Sequence, residues 1–240
     1  LEDTEDFLWL SERSGYRHIY RIGNDGKSVR QLTRGDWEVT RFIKAVKETQ
    51  QIYFEATWGI PTERHIGRVS WYGVRPTKLT GEPGTHSASV SADGLYFFNR
   101  FENSSTPRQL SIRNDSGKTL RILGEKTLKD YRPYRIDPPR FFTVPGEEGR
   151  YYHAQIHYPH DFDPSKKYPL ILSVYGGPHG QVVRDTFDAG ITQVFIANGF
   201  IVFSIDNRGS WGRGHVWETP IHRRFGEIEL ADHLTGIDYM

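Results

Sequence analysis

The sequence predicts two successive architectures: the last blades of a β-propeller over residues 1–136, then the opening portion of an α/β domain over 137–240. Three observations carry this. Short strand-like segments recur through the first half at a spacing of roughly 40–50 residues, the interval of propeller blades. Continuous apolar runs alternate with helical patterns in the second half, as strands of a covered parallel sheet do. Asp137-Pro138-Pro139 marks the change of regime, because neither proline can continue a strand ladder.

The repeat is read strand by strand. Phe7–Arg13, Tyr16–Ile22 and Arg30–Thr33 form the first group. Ile52–Phe54, His65–Val69 and Thr77–Thr80 form the second, and Leu95–Phe98, Gln109–Arg113 and Thr119–Ile122 the third. The Leu-Thr pairs at Leu32-Thr33 and Leu79-Thr80 lie 47 residues apart. Trp37–Thr40 and His86–Val90 are expected as inner strands of successive blades. Asn24-Asp25-Gly26, Ala92-Asp93-Gly94 and Asp115-Ser116-Gly117 supply the turns. A plain β-sandwich with fortuitous spacing is the alternative. Three blades do not close a ring, which typically takes at least about four, so the repeat is expected to be the tail of a larger propeller.

Past the prolines, Phe141–Val144 and Tyr151–Tyr158 read as a hairpin across Gly146–Gly149. Leu170–Val174 is a short apolar run, expected as a strand buried on both faces. A helix is predicted over Ile191–Ala197, ended by Asn198-Gly199. Phe200–Ile205 is a second buried strand, closing on Asp206-Asn207-Arg208-Gly209. From Glu227 the apolar residues Leu230, Leu234 and Ile237 recur at helical spacing and predict an amphipathic helix. This order is that of the N-terminal portion of an α/β-hydrolase domain, cut before its nucleophile elbow.

The chemistry concentrates at Tyr175-Gly176-Gly177-Pro178. In an α/β-hydrolase the loop after the third strand supplies part of the oxyanion hole. A tyrosine ending a buried strand is often plain core. Followed by Gly-Gly-Pro, Tyr175 is instead the candidate donor to a developing alkoxide. The nucleophile motif Gly-x-Ser-x-Gly occurs nowhere in the 240 residues. Its nearest approach, Gly209-Ser210-Trp211-Gly212, follows the wrong strand, and Ser210 reads as a turn residue. In this fold the nucleophile precedes the triad aspartate and histidine, so all three are expected beyond Met240.

Other polar clusters read as structural. His153 and His157 stand roughly 13 Å apart on a strand at about 3.3 Å per residue. Zinc holds each ligand nitrogen near about 2.1 Å, so these two, with His160 and Asp161, do not form a metal site. Arg223-Arg224 reads as a solvated or paired surface feature. Asn103-Ser104-Ser105 and Asn114-Asp115-Ser116 match the glycosylation sequon, a pattern too short to carry weight.

Composition narrows the classes. Lys and Arg total 31 against 30 Asp and Glu, a net charge of +1, which points to neither a nucleic-acid nor a membrane-surface partner. There are no cysteines, so disulfides, zinc–thiolate sites and a cysteine nucleophile are excluded. Aromatics at 14% suit a β-rich chain with stacked cross-strand pairs. No run has the length of a transmembrane helix. Periplasmic and cytoplasmic placement both fit. The start, Leu1 to Asp6, resembles neither an initiator nor a signal peptide, and the chain is expected to begin inside a longer protein.

Several motifs together resemble one family. Ser11-Glu12-Arg13-Ser14-Gly15-Tyr16-Arg17-His18, Trp37-Glu38-Val39 and Glu63-Arg64-His65 are similar to late-blade motifs of the dipeptidyl peptidase IV branch of the prolyl oligopeptidase serine peptidases. Asp163–Pro169 leading into Val174-Tyr175-Gly176-Gly177-Pro178 is the most specific stretch. Ile205–Ser210 followed by Arg224-Phe225-Gly226-Glu227-Ile228-Glu229 adds to it. The Asp-Asn-Arg-Gly-Ser version looks closest to bacterial members and to dipeptidyl peptidases 8 and 9. The resemblance runs over nearly the whole chain.

It implies a propeller capping an α/β-hydrolase that removes N-terminal dipeptides with proline or alanine second, without cofactor or metal. It implies that Tyr175 is the side-chain oxyanion donor, and that the parent protein is a homodimer acting on peptides. The paired glutamates that hold the substrate amine in this family have no counterpart here, nor has the triad. Two other readings stand beside it: a non-catalytic binding or scaffold protein, and an endopeptidase or acylaminoacyl peptidase of the same family. The isolated 240 residues are expected to be inactive and, with unpaired strand edges, poorly soluble.

Overall fold

The computed structural model describes residues 5–73, 75–132 and 134–240. Leu1–Thr4, part of the expected internal start, lie outside the described residues. The chain divides into two compact units, Leu1–Glu102 with Arg108–Glu125 and Gly212–Val216, and Asn103–Pro107 with Lys126–Trp211 and Trp217–Met240.

The first unit holds three successive antiparallel sheets. β1 (Phe7–Ser11), β2 (His18–Ile22) and β3 (Val29–Gln31) form the first. β4 (Val39–Val46), β5 (Gln51–Ala56), β6 (His65–Ser70) and β7 (Thr77–Lys78) form the second, in chain order. β8 (Thr85–Val90), β9 (Tyr96–Asn103), β10 (Thr106–Asn114) and β11 (Thr119–Glu125) repeat that order in the third. Meanders stacked face to face in this way are propeller blades. Ile19, Leu32, Val39, Ile52, Phe54, Val69 and Trp71 form one core cluster. Val46, Tyr53, Ile66, Leu79, Ala88 and Phe97 form the next.

The Leu-Thr repeat has a structural cause. The Ile19 N–H donates to Thr33 Oγ1 at 2.9 Å, and Thr33 Oγ1 lies 3.0 Å from His18 Nδ1. One blade on, the Ile66 N–H donates to Thr80 Oγ1 at 3.1 Å, and Thr80 Oγ1 lies 3.1 Å from His65 Nδ1. Gly35 O and Glu63 Oε2, which face the two Nε2 atoms, only accept, so in each neutral ring Nδ1 accepts from the threonine hydroxyl. Nε2–H donates to Gly35 O at 3.0 Å from His18 and to Glu63 Oε2 at 2.6 Å from His65. Burial pushes His18 below its ordinary pKa and His65 to about 4, so both stay neutral. The hydroxyl thus closes the outer strand onto the next through a buried polar chain that leucine packing alone would not specify.

A flat aromatic stack fills the adjoining space. Trp37 lies 4.8 Å from Trp58 and 6.0 Å from Phe54, near parallel to each. Gly67 makes room for it, because a Cβ there would stand 2.5 Å from Trp58 and 2.8 Å from Phe54.

In the second unit β12 (Arg140–Pro145) and β13 (Tyr151–His157) form the expected hairpin. β13 pairs antiparallel with β15 (Ile201–Ile205), and β15 pairs parallel with β14 (Leu170–Leu172). α1 (Ile191–Ala197) ends at Asn198 and at Gly199, whose φ of 82° requires glycine. α2 (His215–Glu218) is a single turn, and α3 spans Ile228–Tyr239. The core joins Val144, Tyr152, Ala154, Ile156, Phe203, Ile205 and Trp217.

Two expectations are corrected here. The run Leu170–Val174 is not buried on both faces: β14 is three residues long, at the sheet edge, with Leu170 38% and Val174 52% exposed. Within these 240 residues it pairs with β15 alone, which leaves Leu170 and Val174 exposed. The Leu230, Leu234 and Ile237 face of α3 is likewise exposed. The buried face carries Ile228, Asp232, His233 and Gly236. Gly236 brings the helix against the sheet, as a Cβ there would meet Ile205 Cδ1 at 3.0 Å and Phe203 Cε1 at 3.1 Å.

Candidate active site

The carboxyl end of β14 runs into the loop Tyr175–Val183. The Ser173 N–H donates to Phe203 O at 2.8 Å and extends the ladder one residue past the strand. Gly176 then turns the chain at φ 75°, a left-handed value that side chains avoid. The His179 N–H donates to Gly209 O at 2.9 Å, and the Gly180 N–H closes a turn onto Gly177 O at 3.1 Å. The Val182 and Val183 N–H groups both donate to Asp206 Oδ1, at 2.9 and 3.1 Å. The loop after β15 therefore grips the loop after β14 at three points.

That gripping loop is itself held from α3. Arg208 Nη2 donates to Asp232 Oδ1 at 2.6 Å, its Nε to Oδ2 at 3.0 Å, and its backbone N–H to Oδ2 at 2.7 Å. Tyr152 O–H adds a further bond to Asp232 Oδ1 at 2.8 Å. Asp232 is 1% exposed, so its charge depends on these donors. The Asp232 carboxylate holds Arg208 above its ordinary pKa. Burial, followed by the bond to Asp232, pushes the Tyr152 phenol up.

Tyr175 sits on this scaffold with its ring 67% exposed. The ring lies over Gly177 and Gly180, and its hydroxyl has no hydrogen-bond partner among the described residues. A phenol so placed can donate one hydrogen bond to an incoming oxygen. Beside it, His179 at φ 57° is 3.5 Å from Glu218 Oε2 and faces the Trp211 ring at 6.2 Å.

The other residues singled out from the sequence are dispersed. Ser210 is fully buried, and its Oγ accepts from Trp217 Nε1 at 3.0 Å. It is a packing residue. His153 and His157 sit four apart on β13, and burial lowers the pKa of His157. Among the described residues no group of three or more His, Asp or Glu could hold a metal ion. Arg224 Nε pairs with Glu227 Oε2 at 3.1 Å on the surface. No helix of the described residues is long and apolar enough to cross a membrane.

Sequence reasoning missed the Arg208–Asp232–Tyr152 network and the Asp206 clamp. The Asp206-Asn207-Arg208-Gly209 stretch stood out as a motif, but its charges had no partners to assign. With Glu229, His233 and Asp238 on the same helix, nothing in the sequence singled out Asp232.

Propeller blades followed in the chain by strands of an α/β-hydrolase, with a tyrosine–glycine loop at the sheet's carboxyl end, define a class of protein that carries both folds. The pattern of the "Dipeptidyl peptidase IV (DPP IV) N-terminal region" matches residues 1–108, and that of the "Prolyl oligopeptidase family" matches 186–240. The Porphyromonas gingivalis dipeptidyl peptidase 4 structure superposes with a TM-score of 0.90 at 28% identity, over 98% of this chain and 33% of that one. An Aspergillus fumigatus protein named "Probable dipeptidyl peptidase 4" is 30% identical over 238 residues, 96% of this chain and 31% of its own length. Dipeptidyl peptidase 4 of Trichophyton rubrum is 29% identical over 239 residues, again 31% of its length. The chain belongs to the dipeptidyl peptidase IV branch of the prolyl oligopeptidase family. It spans about a third of the length of the curated relatives it matches.

Proposed function

We propose that the full-length protein carrying these residues is a serine exopeptidase. It releases N-terminal dipeptides with proline or alanine in the second position, and Tyr175 donates to the oxyanion. Attack of a serine on the scissile carbonyl moves negative charge onto the carbonyl oxygen. A donor already in place stabilises that charge without reorganising, and in many acyl transfers no other effect lowers the barrier as much. The observation that carries the reading is the Tyr175 hydroxyl, left without a partner at the carboxyl end of β14 on a loop whose backbone is fixed by Asp206 and Gly209.

No Gly-x-Ser-x-Gly occurs in the 240 residues, so the serine, its histidine and its aspartate are proposed to lie outside them, and these residues by themselves to be inactive. Homodimerisation belongs to the same proposal, with sedimentation of the full-length protein as its test.

The experiment is Tyr175→Phe in the full-length protein, assayed on a chromogenic Xaa-Pro amide with a free amine and on its N-blocked counterpart. Loss of one oxyanion donor is expected to lower kcat by about 10²–10³, with the blocked substrate refused by parent and variant alike. Unchanged turnover would remove Tyr175 from the chemistry, and cleavage of the blocked substrate would replace exopeptidase with endopeptidase.

A further inference from the structure

We infer that Gly180 is a positioning residue for Tyr175: the missing side chain at position 180 is what seats the phenol ring. The inference rests on the oxyanion role proposed above. A Cβ built on Gly180 would fall far inside van der Waals contact of Tyr175 Cδ1 and Cε1, and 2.8 Å from Cγ. Gly180 therefore lies flat under the ring, near its root.

The neighbouring glycines have different reasons to be glycine. A Cβ on Gly176 would find open space, its nearest neighbour Glu229 Cγ at 3.9 Å, so this glycine answers to its positive φ instead. A Cβ on Gly177 would meet the ring edge at 3.0 Å, a contact that a small shift relieves. Gly180 is not in the left-handed region, so its backbone would accept alanine and only the ring forbids it.

The loop cannot yield in place of the ring. Residues on both sides of Gly180 are tied down, His179 to Gly209 and Val182 and Val183 to Asp206. The ring can yield where the loop cannot, because within these 240 residues it is 67% exposed and its hydroxyl is bonded to none of the described residues. A change of rotamer about Cα–Cβ is available at small cost and carries the hydroxyl several ångströms, on the order of the ring's own length. A misplacement of about 1 Å in a catalytic group can cost about 10² in rate.

The test is a double-mutant cycle in the full-length protein with Gly180→Ala, Tyr175→Phe and both. Gly180→Ala is expected to lower kcat by about 10², with KM changed less than threefold and the thermal midpoint unmoved. In the Tyr175→Phe background it should lower kcat no further, since there is no hydroxyl left to displace. An equal loss in both backgrounds would overturn the inference, as would parental kcat in Gly180→Ala. A lowered thermal midpoint would overturn it too, because a ring that swings into solvent passes no strain to the fold. If Tyr175→Phe alone retains full turnover, the oxyanion proposal falls and this one falls with it. If Tyr175→Phe is slow and Gly180→Ala is fast, only the positioning role is lost.

Discussion

Arg208 and Asp232 meet as a two-pronged ion pair, 24 residues apart in sequence, with the carboxylate 1% exposed and bonds of 2.6 and 3.0 Å. The pair joins α3 to the loop after β15, and that loop holds the backbone under Tyr175. A packing feature deep in the unit is therefore continuous with the candidate site.

Removing one partner of such a pair leaves the other charge buried without a counterion. Asp232→Ala in the full-length protein is expected to destabilise by about 3–5 kcal/mol. Asp232 also accepts from Tyr152, so Tyr152→Phe should cost less, about 1 kcal/mol. Urea unfolding followed by tryptophan fluorescence measures both. Equal midpoints for parent and Asp232→Ala would show that the pair adds nothing to stability.

The threonines of the blade repeat provide a second test. Thr80→Val keeps the shape but leaves the Ile66 N–H and His65 Nδ1 without the hydroxyl they share. Both lie in the interior, so the cost is expected at about 1–3 kcal/mol. Thr33→Val should match it, since His18 and Ile19 use Thr33 in the same way. Thermal melts that left either variant unshifted would contradict the shared role.

Acid should loosen the blades before it affects their carboxylates. Burial holds both His65 and His86 at about 4, below the ordinary value near 6.5. Between these values the unfolded chain binds more protons than the folded one, so stability falls as pH drops from about 6.5 to about 4. The rings stand 5.5 Å apart, with Glu63 bonded to His65, Lys78 acting on it, and the Glu82–Arg113 pair beside His86. Arg113 holds Glu82 at about 2, so its contribution is lost only below about 4.5. Melting temperature measured from pH 7 to pH 4 should fall less steeply in His65→Gln than in the parent. Parallel curves would remove His65 from the acid response.

The amino-acid sequence by itself determined the blade repeat, the turns, the hairpin after the prolines and the loop carrying Tyr175. Each of these follows from neighbours close along the chain. Period-two apolar patterning, Asp-Gly and Asn-Asp-Gly turns and proline breaks act within a few residues. The 47-residue return of Leu-Thr was visible as spacing, but its purpose was not. Only the folded chain put the Thr33 and Thr80 hydroxyls between a backbone N–H and an imidazole.

The tertiary structure decided which side of each element is buried, and with what partner. Leu230, Leu234 and Ile237 make the better apolar stripe, yet α3 buries Asp232 and Gly236 instead. Arg208 and Tyr152 supply four donors to the carboxylate, and the glycine permits close approach to Phe203 and Ile205. Leu170 looked like core, and within these 240 residues it lies at an edge, because burial needs a neighbour on both sides and here β14 has β15 alone. Local pattern sets what an element is. Contacts between residues far apart in sequence set where it faces, and the seat of Tyr175 is such a contact.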